Sequence, residues 1–277
     1  MIANSRGMAG PLRVLVTGAS SGIGAAIARN YARRGAQVAL LARRREPLEE
    51  VAAACRADGG EASVLVCDVT QKAEVAAAVG ALAEQWPRID RAVLNAGVAW
   101  SDGARSFAEC CTSDAQNAAA FDAGTAAEIM TTNYLGAVYF LEPVLAWMRQ
   151  GSGGRIAFTG SMAADGLLER SGPYVASKAA LRALVEGMRP DACALNIGLT
   201  LLEPGFVETG MTEGVRYRMP FLISAERAAE AFVRGIEDGK DRVRAPWQMS
   251  ALVGVARLVP APLRALGVRW LGRASDR

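Results

Sequence analysis

Tyr174 and Lys178 stand four residues apart in Pro173-Tyr174-Val175-Ala176-Ser177-Lys178, and Ala179-Ala180-Leu181 continue a helical pattern. Side chains at i and i+4 of a helix share a face, so a phenol and an ammonium lie side by side. A free phenol ionises at a pH of about 10. A neighbouring cation favours the phenolate and lowers that value. Such a pair can pass a proton to or from an oxygen while a hydride moves at the adjacent carbon. Thirteen residues upstream, Ser161 ends the apolar run Arg155-Ile156-Ala157-Phe158-Thr159-Gly160. A serine at a strand end can hydrogen-bond the same oxygen. Taken alone, the Tyr-x-x-x-Lys spacing is better explained by a solvated helix face. The elements that must position it decide between the two.

Leu12-Arg13-Val14-Leu15-Val16 is a β-rich run that stops at Thr17-Gly18-Ala19-Ser20-Ser21-Gly22-Ile23-Gly24. A helical pattern follows over 25–34 and ends at Gly35. In a strand, glycine turn and helix, the backbone can approach a pyrophosphate closely, and the helix N-terminus offers free N–H groups. Gln37-Val38-Ala39-Leu40-Leu41-Ala42 is the second expected strand, and it runs into Arg43-Arg44-Arg45. An acid at this place would hold a ribose 2′-hydroxyl, whereas Arg accommodates a 2′-phosphate. No acid precedes Glu46, so Arg43 points to NADP(H), with NAD(H) the less favoured cofactor. Arg44 and Arg45 read as a solvated helix start.

The alternation continues with a helix over 47–57, a strand over 62–67 and a helix over 75–86. A strand over 89–94 ends in Asn95-Ala96-Gly97. Asp68, after the third strand, can meet an adenine amino group or cap the helix that follows. This βαβ alternation argues for an α/β, doubly wound open parallel sheet with ligands at the carboxyl ends of its strands. Residues 98–126 lack clear periodicity; they are expected to hold a short helix and to form one pocket wall. A long helix over 126–148 carries Asn133, a residue that is unfavourable inside a helix and so points to a tertiary role. A strand over 155–159, the Tyr174 helix over 173–188 and a strand over 196–202 follow. The last runs into Glu203-Pro204-Gly205-Phe206-Val207-Glu208-Thr209. A Met-rich loop over 210–223, a helix over 224–236 and a strand over 242–245 complete the pattern.

The order and separation of these motifs give the chain a strong resemblance to the short-chain dehydrogenase/reductase family. They are the glycine turn, Asn95-Ala96-Gly97, Asn133, Ser161, Tyr174 with Lys178, and Pro204-Gly205, and they cover roughly residues 12–245. The resemblance implies a single Rossmann-like domain with a seven-stranded parallel sheet. Thr17, Gly18, Ser20, Gly22, Ile23 and Gly24 would cradle the cofactor phosphates. Asp68 and Val69 would flank the adenine. Asn95, Ala96 and Gly97 would line the adenosine-ribose side, and Pro204, Gly205, Val207 and Thr209 would surround the nicotinamide. Tyr174 would be the general acid of reduction and the base of oxidation. Lys178 would lower its pKa and bind the nicotinamide ribose. Ser161 would hold the substrate oxygen, and Asn133 would anchor a water of a proton relay. A homodimer or homotetramer is also implied. The chain departs from the pattern at Leu94, where many members have Asn, and at Met162, where many have Ser. Residues 98–126 are longer than usual.

Composition sets the remaining bounds. The chain has 277 residues, 51% of them hydrophobic, a net charge of +3 and no histidine. A charge so mild does not imply a nucleic-acid partner, and the lack of His excludes His-based triads and ligand sets. The five cysteines, which include the adjacent pair Cys110-Cys111, form no C-x-x-C. Neither a disulfide framework nor a metal site is suggested, and a cytoplasmic location fits. Residues 1–10 read as a disordered leader, 11–245 as the catalytic domain and 246–277 as a basic amphipathic extension of it. Residues 240–277 hold eight basic and two acidic side chains. A basic amphipathic helix with Trp can lie on an anionic membrane surface, but Pro260 and Pro262 interrupt it. A subunit contact or a cover over the core is therefore favoured. Met162, Phe206, Met211, Met219 and Phe221 form a mostly apolar set around the expected pocket, which points to a small hydrophobic ketone or secondary alcohol. The competing expectation is a non-catalytic NADP(H)-binding sensor or scaffold on the same fold.

Overall fold

The computed structural model describes residues 10–99, 123–165, 171–213 and 219–259. Its first half repeats one unit: β1 (Arg13–Thr17), α1 (Gly22–Ala32), β2 (Gln37–Ala42), α2 (Arg45–Ala57), β3 (Glu61–Val66), α3 (Lys72–Gln85) and β4 (Arg91–Leu94). Then come α4 (Ala123–Met130), a π-helical turn (Thr131–Leu135), α5 (Gly136–Gln150), β5 (Gly154–Thr159) and a 3-10 turn (Met162–Asp165). They are followed by α6 (Gly172–Ala194), β6 (Ile197–Pro204), the short strands β7 (Val207–Glu208) and β8 (Ile223–Ser224), α7 (Ala225–Glu237), β9 (Arg242–Ala245) and α8 (Trp247–Leu258).

Seven strands form one sheet in the order β3-β2-β1-β4-β5-β6-β9, and every pair is parallel. Its strands are short apolar runs because both faces are covered. Along β1 the side chains alternate, as strand geometry requires. Val14 and Val16 join a core with Ile27, Tyr31 and Phe232, while Leu15 joins the opposite core with Phe140, Val144 and Phe158. The first core packs α1, α2 and α7 on the sheet, and the second packs α3, α5 and α6. The strand order reverses between β1 and β4, which opens a crevice at their carboxyl ends.

The elements differ from expectation in four places. The helix expected over 126–148 begins at Ala123 and is interrupted by the π-turn. The Tyr174 helix runs past Pro190 to Ala194; Pro removes one donor there, but Ala192 is buried in the second core. The Met-rich loop carries a small second sheet, with Val207 opposite Ile223. The 246–277 extension is helical from Trp247 to Leu258 and continues directly from β9. The leader over 1–9, the Cys110-Cys111 pair, most of the 98–126 stretch and the tail beyond 259 lie outside the described residues.

Candidate active site

A cavity of about 630 Å3 occupies the crevice at the carboxyl ends of the strands. Arg43, Arg44 and Asp68 border one end, and Ser161, Met162, Tyr174 and Lys178 line the other. The glycine turn and Asn95-Ala96-Gly97 lie between them on one side, and Pro204 to Thr209 on the other.

The glycine-turn end is held by neutral hydrogen bonds. Thr17 Oγ1 accepts from Asn95 N at 2.9 Å and from Ala96 N at 3.0 Å. Asn95 Nδ2 donates to Thr17 O at 3.2 Å, and Asn95 Oδ1 accepts from Thr159 Oγ1 at 3.1 Å. These bonds draw the first turn against β4 so closely that Gly18 has no room for a side chain. It sits at φ +64°, and a Cβ there would lie 2.8 Å from Ala96 Cα. Ser20, Gly22 and Ile23 face the cavity, while Thr17 and Gly24 shape the turn without lining it. No side chain caps the N-terminus of α1, and its first turn carries no acid. The free N–H groups there suit an anion, so the turn fits a dinucleotide pyrophosphate. Arg43 and Arg44 are both exposed at the end of β2 and both line the cavity. Arg44 thus joins the site rather than serving only as a helix start, whereas Arg45 begins α2 and pairs with Glu49 at 3.5 Å. Asp68 lines the cavity but does not cap α3: its Oδ1 accepts from Thr70 N and Oγ1, both at 2.9 Å, and Gln71 is the N-cap residue. Val69 lies beside it in the wall.

At the other end, α6 presents Tyr174 and Lys178 on one face, beside the end of β5. Lys178 is 3% exposed; its Nζ donates to Thr159 O at 2.8 Å and lies 5.9 Å from the centre of the Tyr174 ring. Burial pushes its pKa down to about 8. Tyr174 and Ser161 line the cavity together. Burial raises the Tyr174 pKa above its ordinary value, against a smaller lowering by Ser161. The net effect is therefore a rise set by burial, and not the lowering expected from Lys178. Ser161 Oγ also accepts from Ala163 N at 3.0 Å, which aims the hydroxyl at the first turn of the 3-10 segment.

Asn133 sits behind this pair rather than in the cavity wall. Its Oδ1 accepts from Val98 N at 2.7 Å, and its Nδ2 donates to Val98 O at 2.8 Å and Ser177 Oγ at 2.9 Å. Ser177 Oγ in turn donates to Tyr174 O at 2.7 Å. The π-turn gives the side chain this reach, a geometry common at functional sites. A Cβ at Gly97 would meet Asn133 Oδ1 at 3.0 Å and Lys178 Nζ at 3.1 Å. A larger residue at Gly97 would have to displace one or both of these side chains.

Met162, Phe206 and Met211 line the reacting end, as the sequence suggests; Met219 and Phe221 do not. Pairing of β7 with β8 carries the segment before Ile223 outward, and Phe221 is 48% exposed. Sequence reasoning missed Met249 and Val253, which α8 turns into the cavity. Their i, i+4 spacing in an apolar stretch was the available signal. A Cβ at Gly205 would meet Met249 Cγ at 3.0 Å and Met162 Cε at 3.2 Å, so two methionines close over the Pro204-Gly205 loop. No described helix is long and apolar enough to cross a membrane.

Comparison with known proteins agrees with this arrangement. Residues 13–219 match the family model for short chain dehydrogenase. An uncharacterized oxidoreductase of Myxococcus xanthus is 31% identical over 257 residues, covering 93% of this chain and 96% of that protein. An 11-beta-hydroxysteroid dehydrogenase 1A of Arabidopsis thaliana is 35% identical over 202 residues, 73% of this chain but 54% of the plant protein. Among solved structures, an alcohol dehydrogenase of the archaeon Thermococcus sibiricus, complexed with 5-hydroxy-NADP, superposes with a TM-score of 0.71 at 26% identity. That match covers 85% of this chain and 96% of the archaeal one. The chain belongs to the short-chain dehydrogenase/reductase family, and it is an oxidoreductase of CH–OH and C=O groups on a Rossmann-like fold.

Proposed function

We propose that the protein reduces a hydrophobic ketone with NADPH, or oxidises the corresponding secondary alcohol in reverse. The observation that carries this reading is the convergence of Ser161, Tyr174 and Lys178 at the apolar end of a cavity whose far end holds Arg43 and Arg44. NADPH, when bound, supplies the hydride. The residues of the chain do the rest. Arg43 meets the 2′-phosphate, with Arg44 beside it. The turn from Thr17 to Gly24 holds the pyrophosphate, Asp68 and Val69 flank the adenine, and Asn95, Ala96 and Gly97 the adjoining ribose. Pro204, Gly205, Val207 and Thr209 hold the nicotinamide end.

Ser161 donates to the substrate oxygen and fixes it. Tyr174, kept protonated by burial, delivers its proton to that oxygen as hydride arrives at carbon. Donors already aimed at the developing charge stabilise the transition state without reorganisation. Lys178 stabilises the phenolate that remains and reaches the nicotinamide ribose. Asn133 anchors a water that returns the proton through Lys178. In the alcohol-to-ketone direction the same atoms act in reverse.

The apolar wall of Met162, Phe206, Met211, Met249 and Val253 favours a substrate with little polar surface. The steroid dehydrogenase and the NADP-complexed alcohol dehydrogenase among the similar proteins support this choice of substrate and cofactor. The reading includes a homo-oligomer working in the cytoplasm.

The test is absorbance at the nicotinamide band over a carbonyl panel, with NADPH and NADH in parallel, for the wild type and Tyr174→Phe. Turnover with NADPH that is lost in the variant is expected. A preference for NADH would remove the 2′-phosphate argument. NADPH binding without turnover on any carbonyl, and no change in Tyr174→Phe, would replace the enzyme with a sensor.

A further inference from the structure

Four charged side chains meet behind the reacting end of the cavity, and none of them lines it. Arg182 Nη1 pairs with Asp165 Oδ1 at 2.8 Å, and Arg182 Nη2 with Glu203 Oε1 at 2.5 Å. Arg244 Nη2 pairs with Asp165 Oδ2 at 3.1 Å, and Arg244 Nε with Glu203 Oε2 at 2.7 Å. Two acids and two guanidiniums thus close a ring. The Glu203 side chain is 0% exposed and that of Asp165 is 3% exposed.

Stability does not explain such a ring. Buried ion pairs lose most of their attraction to desolvation, and apolar replacements of similar volume are often as stable. What forked guanidiniums add is direction: each fixes the angle and distance of the carboxylates it holds.

The four residues come from four elements, and each element carries or adjoins residues of the site. Asp165 closes the 3-10 turn that Met162 opens. Arg182 lies one helical turn beyond Lys178 on α6. Glu203 immediately precedes Pro204 and Gly205. Arg244 lies near the end of β9, just before the helix that carries Met249 and Val253. Arg182 Nη2 also donates to Ser161 O at 3.3 Å.

We infer that the Asp165–Arg182–Glu203–Arg244 ring is a positioning device. It sets Ser161, the Pro204-Gly205 loop and the α8 wall in register with Tyr174 and Lys178. Arg182 and Glu203 are its main positioning residues; neither touches the substrate. The catalytic part of this inference rests on the reductase reading above.

The test uses the full chain as wild type, Arg182→Met, Arg182→Lys and the charge-neutral double variant Glu203→Gln/Arg244→Met. Steady-state kinetics with an accepted ketone and hydrogen exchange by mass spectrometry are the two readouts. Misplacement of a reacting group by about an ångström costs roughly a hundredfold in rate. Arg182→Met is therefore expected to lower kcat by roughly 10–100-fold with the KM for NADPH unchanged, and Arg182→Lys to recover part of the loss. Faster exchange should appear at 159–165, 203–213 and 245–259 and not in β1 to β3. If Arg182→Met does not fold, the double variant should show the same fall in kcat and the same confined rise in exchange. Unchanged kcat in folded variants, or exchange that rises across the whole sheet, would overturn the inference. If the wild type reduces no carbonyl, the reductase reading fails by itself and exchange alone judges the ring: a confined rise supports it, and no rise or a general one rejects it.

Discussion

The two ends of the cavity are held by different physics. Around the glycine turn the hydrogen bonds that join Thr17, Asn95 and Thr159 to one another and to the backbone are neutral. Around the reacting end, the charges are set one layer behind the wall, in the ring of Asp165, Arg182, Glu203 and Arg244. Among the described residues, only Lys178 brings a buried charge to the surface of the cavity there. The difference follows from what each end receives. A pyrophosphate brings its own charge and is best met by oriented N–H groups and a helix end. The hydrophobic ketone proposed above would bring none, and charge would appear only as the reaction proceeds. Bare ions in that wall would attract water and bind the wrong ligands, so they are withdrawn and used for alignment.

The sharpest test of this contrast is at the proton donor. Tyr174→Phe should lower kcat about a thousandfold, as expected for loss of a positioned general acid, while NADPH binding measured by fluorescence is retained. A loss of cofactor affinity instead would mean that the two ends are not separable. Arg43→Ala attacks the opposite end. The Kd for NADPH should rise roughly 10–100-fold, the range of one or two lost charge-assisted hydrogen bonds, with the Kd for NADH hardly changed. Equal effects on both cofactors would move the 2′-phosphate contact elsewhere.

Lys178→Met sharpens the comparison by removing the one buried charge on the cavity surface. Burial pushes the Lys178 pKa down to about 8, against 10.5 for an ordinary lysine. Below pH 8 both folded and unfolded chains carry the proton, and folding bears the whole cost of burying it. Between about 8 and 10.5 the unfolded chain binds the proton and the folded chain does not, so this cost fades as pH rises. After allowance for the lost bond to Thr159, Lys178→Met should stabilise the protein by about 2 kcal/mol at pH 7. The gain should shrink across that window, and catalysis should be lost. Urea melts at pH 7 and pH 10 would check it; a destabilised variant at pH 7 would show that the bond matters more than the burial. The smallest effect belongs to the wall. Met249→Ala should shift kcat/KM toward bulkier ketones by about tenfold, the usual scale for apolar pocket contacts, measured by competition between two ketones of different width.

The first of these ends was far more legible in the sequence than the second. Gly18, Asn95 and Arg43 lie within or directly after strands, so their place at the carboxyl edge follows from the βαβ pattern. Tyr174 and Lys178 were legible because one helix carries both. Met249 and Val253 were not, because nothing local shows that α8 folds back over Gly205. The ring was illegible for the same reason: Asp165, Arg182, Glu203 and Arg244 span 79 residues, and each alone reads as an ordinary surface charge. The net rise in the Tyr174 pKa was hidden too, since spacing shows the neighbouring cation but not the loss of water.

The π-turn at Thr131–Leu135 has a consequence for insertions and deletions. A helix turns about 100° per residue, so one extra residue in a turn rotates everything beyond it by that amount. The buried stripe of α5, with Ala137, Phe140 and Val144, is in phase with the sheet only because that residue is there. Deleting one position from the turn would restore regular hydrogen bonding along the helix. It would also force a choice between seating Phe140 and Val144 in the core and keeping Asn133 on Val98 and Ser177. The chain therefore cannot lose a single residue here without giving up one of these two arrangements.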